Sequence, residues 1–118
     1  STSGSYREQI QSITMTTISP IELNQWRADD KAHQLIDVRE DYEVEICSMG
    51  GLHIPMNAIM ERMSEISKEV PVVVHCKSGR RSEAVVAHLM RYGYQNVFSL
   101  DGGIIAWIET VEPALEKY

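Results

Sequence analysis

The sequence predicts an α/β domain built on a mainly parallel, five-stranded sheet with helices on both faces. Three observations carry this. Short runs rich in Val, Ile and Leu recur at 34–38, 71–75 and 96–100, each of strand length. Segments with apolar residues at helical spacing lie between and after them, as at 56–66 and 82–92. Regular alternation of strand and helix requires crossover connections, and those make neighbouring strands parallel.

In chain order, residues 1–14 (STSGSYREQIQSIT) begin Ser- and Gly-rich and show no apolar period. They read as a flexible arm, an inter-domain linker or an expression remnant, with Met15 a candidate natural start and 15–118 the folded domain. Residues 16–18 suit a short edge strand. Ser19 then stands at an N-cap with Pro20 at the first helical position and Glu22 completing a capping box. Leu23 and Trp26 are the core-facing positions of that helix. The second strand spans 34–38 and ends at the charged Arg39-Glu40-Asp41. A short helix follows from Asp41 to about Ile46. Ser48-Met49-Gly50-Gly51 marks a turn and 52–55 a brief extended piece. Ile59, Met60, Met63 and Ile66 place a helix over 56–66. Strand 71–75 precedes a helix at about 82–92, which Gly93 ends. Strand 96–100, the turn Asp101-Gly102-Gly103 and a helix over 104–110 close the order, with Ile104, Trp107 and Ile108 facing the core.

Composition narrows the function. The 118 residues suffice for one domain with its own core. A net charge of −6 argues against nucleic acid as the main partner. No apolar stretch approaches the ~18 residues of a membrane span. No secretory signal opens the chain, and its size removes the need for a disulfide staple. A reducing, cytoplasmic setting with two free thiols, Cys47 and Cys76, is therefore expected.

Cys76 is the most informative residue. It closes an apolar strand and opens the turn Lys77-Ser78-Gly79-Arg80-Arg81-Ser82, which leads into a helix. A thiol there faces backbone N–H groups and the positive end of a helix dipole, and three cationic side chains follow within five positions. Each influence favours thiolate, the nucleophilic form. In strands of this type, reactive groups lie beyond the carboxyl ends, where Cys76 falls. Sulfur chemistry on anions is the expectation. Gly79 permits a backbone conformation that side chains resist. Lys77, Arg80 and Arg81 are candidates for holding an anionic donor, set against the plainer role of solvated surface charge. Ser82 is expected to cap the following helix.

Asp37 and Arg39, at the neighbouring strand end, are candidates to pair and brace the loop. His75 faces away from Cys76 if the strand alternates, and so reads as a satisfied core histidine. His53 and His88 read the same way, and His33 as solvent-facing. No metal-ligand spacing links the four histidines with the cysteines. Cys47 is either a packing residue or a second thiol able to resolve a persulfide as a disulfide.

Four separated motifs resemble the rhodanese domain, a persulfide-forming sulfurtransferase module. They are Leu35-Ile36-Asp37-Val38-Arg39-Glu40, His53-Ile54-Pro55, Val74-His75-Cys76-Lys77-Ser78-Gly79-Arg80-Arg81-Ser82, and Val97-Phe98-Ser99-Leu100-Asp101-Gly102-Gly103-Ile104-Ile105-Ala106-Trp107. Leu52 and Met56 stand where the commoner family form has glycines. The stretch Glu43-Val44-Glu45-Ile46-Cys47 and the tail from Glu112 to Tyr118 are similar to rhodanese domains fused behind ubiquitin-activating-like adenylyltransferases. The resemblance implies a Cys76 persulfide, loaded from thiosulfate or a protein persulfide and cradled by backbone N–H groups from Lys77 to Ser82. Arg81, at the last position of the rhodanese loop, becomes the favoured anion contact. It further implies a ubiquitin-like sulfur carrier and an adenylyltransferase domain as partners, with no metal or organic cofactor.

Two rivals remain. A cysteine phosphatase also places His-Cys before an anion loop, but its arginine comes six positions after the cysteine, where this chain has Ser82. A non-catalytic interaction module on the same fold would be expected to have lost Cys76.

Overall fold

The computed structural model describes residues 16–117; the arm at 1–14 and Met15 lie outside them. Strands β1 (Thr17–Ile18), β2 (Gln34–Asp37), β3 (Leu52–His53), β4 (Val72–His75) and β5 (Val97–Leu100) form one sheet in the order β1-β5-β4-β2-β3. Every neighbouring pair is parallel. The helices are α1 (Pro20–Ala28), α2 (Asp41–Ile46), α3 (Ile59–Arg62), α4 (Arg80–Arg91) and α5 (Gly103–Thr110).

The alternation of side chains along β4 divides the core. Val72, Val74 and Cys76 join one apolar layer with Val85, Val86 and Leu89 of α4 and Ile59 of α3. Val73 joins the other with Leu23 of α1 and Ile104, Trp107 and Ile108 of α5. Helices therefore cover both faces, as the sequence implies. All four residues of β4 are buried, which fits an apolar run with parallel neighbours on both sides.

At the start of α1, Ser19 Oγ accepts the Glu22 N–H at 3.1 Å, the Ser arm of the expected cap. Trp26 is half-buried, edge-on to Phe98.

The segment 56–66 departs from the single helix expected. It breaks into a 3-10 turn (Met56–Ala58), α3 and a second 3-10 turn (Met63–Glu65). Ala58 and Arg62 leave ideal helical geometry, and no side chain caps the pieces. Arg62 instead bonds Glu65 and the His53 carbonyl. Ile59 and Ile66 are buried, whereas Met60 turns outward.

α4 starts at Arg80, two residues earlier than the sequence suggests. Gly79, at φ +105°, is its N-cap. Ser82 is therefore not a cap but lies inside the first turn, where its Oγ donates to the Gly79 carbonyl at 3.1 Å. The left-handed glycine makes the turn that the serine was expected to make.

Candidate active site

β4 ends at His75, so Cys76 stands at the carboxyl end of the strand nearest the middle of the sheet. Its side chain is buried. Sγ accepts the Gly79 N–H at 3.1 Å and the Ser82 N–H at 3.4 Å. The loop from 76 to 82 thus curls around the sulfur with its N–H groups inward, an arrangement suited to negative charge.

What holds the loop that way is α5. The Cys76 carbonyl accepts the Ile104 N–H at 2.9 Å, and the Lys77 carbonyl accepts that of Ile105 at 3.1 Å. Carbonyls turned toward a helix N-terminus leave the following N–H groups free to face the sulfur. The approach is close enough to demand glycine: a Cβ on Gly103 would lie 2.4 Å from the Lys77 oxygen.

The other predicted loop residues divide by exposure. Ser78 and Arg80 are exposed, Lys77 and Arg81 half-buried, and Gly79 and Ser82 buried. Arg81 reaches sideways, donating from Nη1 and Nη2 to the Glu43 carboxylate at 2.7 and 2.8 Å. Ser82 Oγ lies 2.7 Å from Ser99 Oγ of β5.

Asp37 and Arg39 form a buried two-point pair, Nε to Oδ1 at 2.9 Å and Nη2 to Oδ2 at 2.7 Å. Arg39 also donates to the carbonyls of Cys47, at 2.7 Å, and Glu43, at 3.3 Å. Through Glu43 the pair is linked to Arg81 and so to the loop. Burial pushes the Asp37 carboxyl up, but the hydrogen bonds from Arg39, with His75 nearby, leave it below the usual carboxylate range.

His75 is buried on the opposite side of β4, but it is not satisfied. Neither ring nitrogen has a hydrogen-bond partner among the described residues, and Asp37 Oδ2 lies 3.8 Å from Nε2. Burial pushes its pKa down to about 4, against the pull of Asp37. His53 and His88, unlike His75, are not core residues. His53, partly exposed, places Nε2 2.7 Å from the Arg39 carbonyl, while His88 meets Met60 and Tyr92 at the surface. His33 is partly exposed, tilted against Trp26, with Nδ1 2.7 Å from the Lys31 carbonyl. Cys47 is a buried free thiol in the layer opposite to that of Cys76, with Sγ 3.9 Å from Arg39 Nη1.

Three contributors were not singled out from sequence: Glu43, Ser99 and Gly103. Ser99 left a signal, since a serine inside an apolar strand needs a buried partner.

The architecture is a parallel α/β sheet with the Cys76 thiol held in a strand-to-helix cradle of N–H groups. Residues 19–110 match the rhodanese-like domain family, and the chain belongs to it. It is 44% identical to a sulfurtransferase of Allochromatium vinosum over 72% of this chain and 80% of that protein. It is 32% identical to the probable adenylyltransferase/sulfurtransferase MoeZ of Mycobacterium tuberculosis, over 87% of this chain but only 27% of that longer protein. The fold is similar to the crystal structure of a rhodanese-related protein from Thermoplasma volcanium, with a TM-score of 0.74 and 30% identity over 83% of this chain and 95% of that one. No helix among the described residues is long and apolar enough to cross a membrane.

Proposed function

We propose that this domain is a sulfurtransferase in which Cys76 carries sulfur as a persulfide. The observation that carries the reading is the Cys76 sulfur inside its loop, receiving the N–H groups of Gly79 and Ser82. The thiolate attacks the outer sulfur of thiosulfate or a protein persulfide. A bond forms between Cys76 and that sulfur, and the donor's sulfur–sulfur bond breaks. A thiophilic acceptor nucleophile then attacks the terminal sulfur, the Cys76 S–S bond breaks, and the Cys76 thiolate leaves with the electron pair, ready for another cycle. Preset N–H donors stabilise charge on the terminal sulfur without rearrangement, the general advantage of a preorganised anion hole.

Likeness to the adenylyltransferase/sulfurtransferase MoeZ supports an adenylyltransferase domain as neighbour, and the acceptor in this reading is a ubiquitin-like sulfur carrier. The two free thiols fit a reducing, cytoplasmic setting. Lys77, Ser78 and Arg80 form the donor-facing rim, Arg81 ties it to α2 through Glu43, and Asp37 with Arg39 braces it from below.

The test is to incubate reduced protein with thiosulfate and measure its intact mass beside Cys76→Ala. A gain of one sulfur atom, absent in the variant, is expected. Phosphate-ester hydrolysis without any sulfur gain would favour the phosphatase reading and sink this one.

A further inference from the structure

The loop brings together positive charges on Lys77, Arg80 and Arg81 in a chain of net charge −6. Arg81 is matched by a buried carboxylate. Arg81 makes a two-point pair with Glu43, whose residue is only 2% exposed. The carboxylate is itself fixed, because Oε1 also accepts the Glu40 N–H at 2.9 Å within the first turn of α2. A group held from two sides does not swing away when an anion arrives, and the fork-to-carboxylate geometry is the strongest form of such a pair. Arg80, by contrast, is exposed to solvent at the start of α4.

Resting on the sulfurtransferase reading, we propose that Glu43 determines donor specificity. By matching Arg81 it lowers the positive potential at the loop, so that Cys76 takes sulfur from alkyl or protein persulfides in preference to the thiosulfate dianion. The two reactions differ in charge. From a persulfide R–S–SH, the thiolate attacks the terminal sulfur. The donor S–S bond breaks, and R–S⁻ leaves with its electron pair. From thiosulfate, attack on the outer sulfur expels sulfite, and the incoming species carries two negative charges. Only the second donor depends strongly on a net positive mouth. Arg81 is then a positioning residue that ties the loop to α2, acting on the reaction through Glu43.

The experiment compares wild type, Glu43→Gln and the double variant Glu43→Gln/Arg81→Gln, using thiosulfate and 2-hydroxyethyl persulfide, whose carbon chain is uncharged. Glu43→Gln is expected to lower the thiosulfate KM by roughly three- to tenfold with little change in kcat, the signature of improved ground-state binding. Persulfide kinetics should stay within about twofold. The gain should shrink as salt is raised, because screening acts on charge and not on packing. The double variant removes one charge of each sign, so its donor preference should return to that of wild type. It also keeps the test open should the single variant fold poorly.

Equal loss with both donors in folded Glu43→Gln overturns the proposal. A double variant that is selectively poor with thiosulfate overturns it too, since Arg81 would then be the direct anion clamp. If wild type forms no Cys76 persulfide with either donor, the sulfurtransferase reading itself fails. If persulfide forms with both donors and Glu43→Gln leaves their ratio unmoved, only the role of Glu43 fails.

Discussion

Ser82 Oγ and Ser99 Oγ lie 2.7 Å apart, fastening the first turn of α4 to β5 in a place closed to water. Ser82 donates to the Gly79 carbonyl, so Ser99 is the donor in this contact. The bond fixes Ser82, whose own N–H reaches the Cys76 sulfur. Ser99→Ala should cost about 1 kcal/mol in urea unfolding, the usual worth of one such bond. Persulfide formation should slow by several-fold as the cradle loosens. Unchanged stability and rate would mean that the two hydroxyls merely sit side by side.

Gly103→Ala tests the contact between α5 and the loop. The new Cβ would lie 2.4 Å from the Lys77 oxygen at a φ of +65°, so collision and backbone strain coincide. A loss of at least about 2 kcal/mol is expected. Gly93→Ala is the matched control: φ is +93°, but nothing lies within 4 Å. That change should cost about 1 kcal/mol from the backbone alone. Equal losses at the two positions would deny the close approach any importance.

His75 should make the domain acid-sensitive. Its pKa falls from 6.5 to about 4 on folding, chiefly through burial. Between those values the unfolded chain holds the proton and the folded one does not, so stability drops as pH falls through this window. The full difference is of order 3 kcal/mol. Asp37 adds to the loss only lower down, as pH falls from its ordinary value of 3.8 through its depressed folded one. His75→Leu, similar in bulk and free of a titrating group, should flatten the decline between pH 6.5 and 4. Melting temperatures at pH 7 and 5 decide it: equal acid shifts in both proteins would acquit the histidine.

The features legible in sequence are those that local order encodes. The strands announce themselves as apolar runs, and Cys76 with its glycine and cations lies within seven consecutive residues. Asp37 and Arg39 are close enough in sequence to pair across one strand end. Glu43 with Arg81, and Ser82 with Ser99, join residues 38 and 17 positions apart. Such contacts depend on which strands become neighbours and in what register, and no local pattern states that. The position of Ser82 inside the helix is hidden for a related reason. Serine is a good cap, but at Gly79 a left-handed backbone starts the helix first. His75 shows the limit of a facing argument: alternation gives its direction, while the lack of a partner depends on what packs there.

The two free cysteines lie in different apolar layers, Cys76 in the one beneath α4 and Cys47 in the one beneath α1 and α5. The molecule thus carries a native chemical probe in each half of its interior. The rate at which a thiol reagent reaches Cys76 follows the opening of its loop and of the α4 layer. The rate at Cys47 follows the release of the short α2 segment and the Arg39 contacts that hold it. Labelling the two sites under mild denaturant would time the loosening of each side of the sheet separately, with no residue added to the protein.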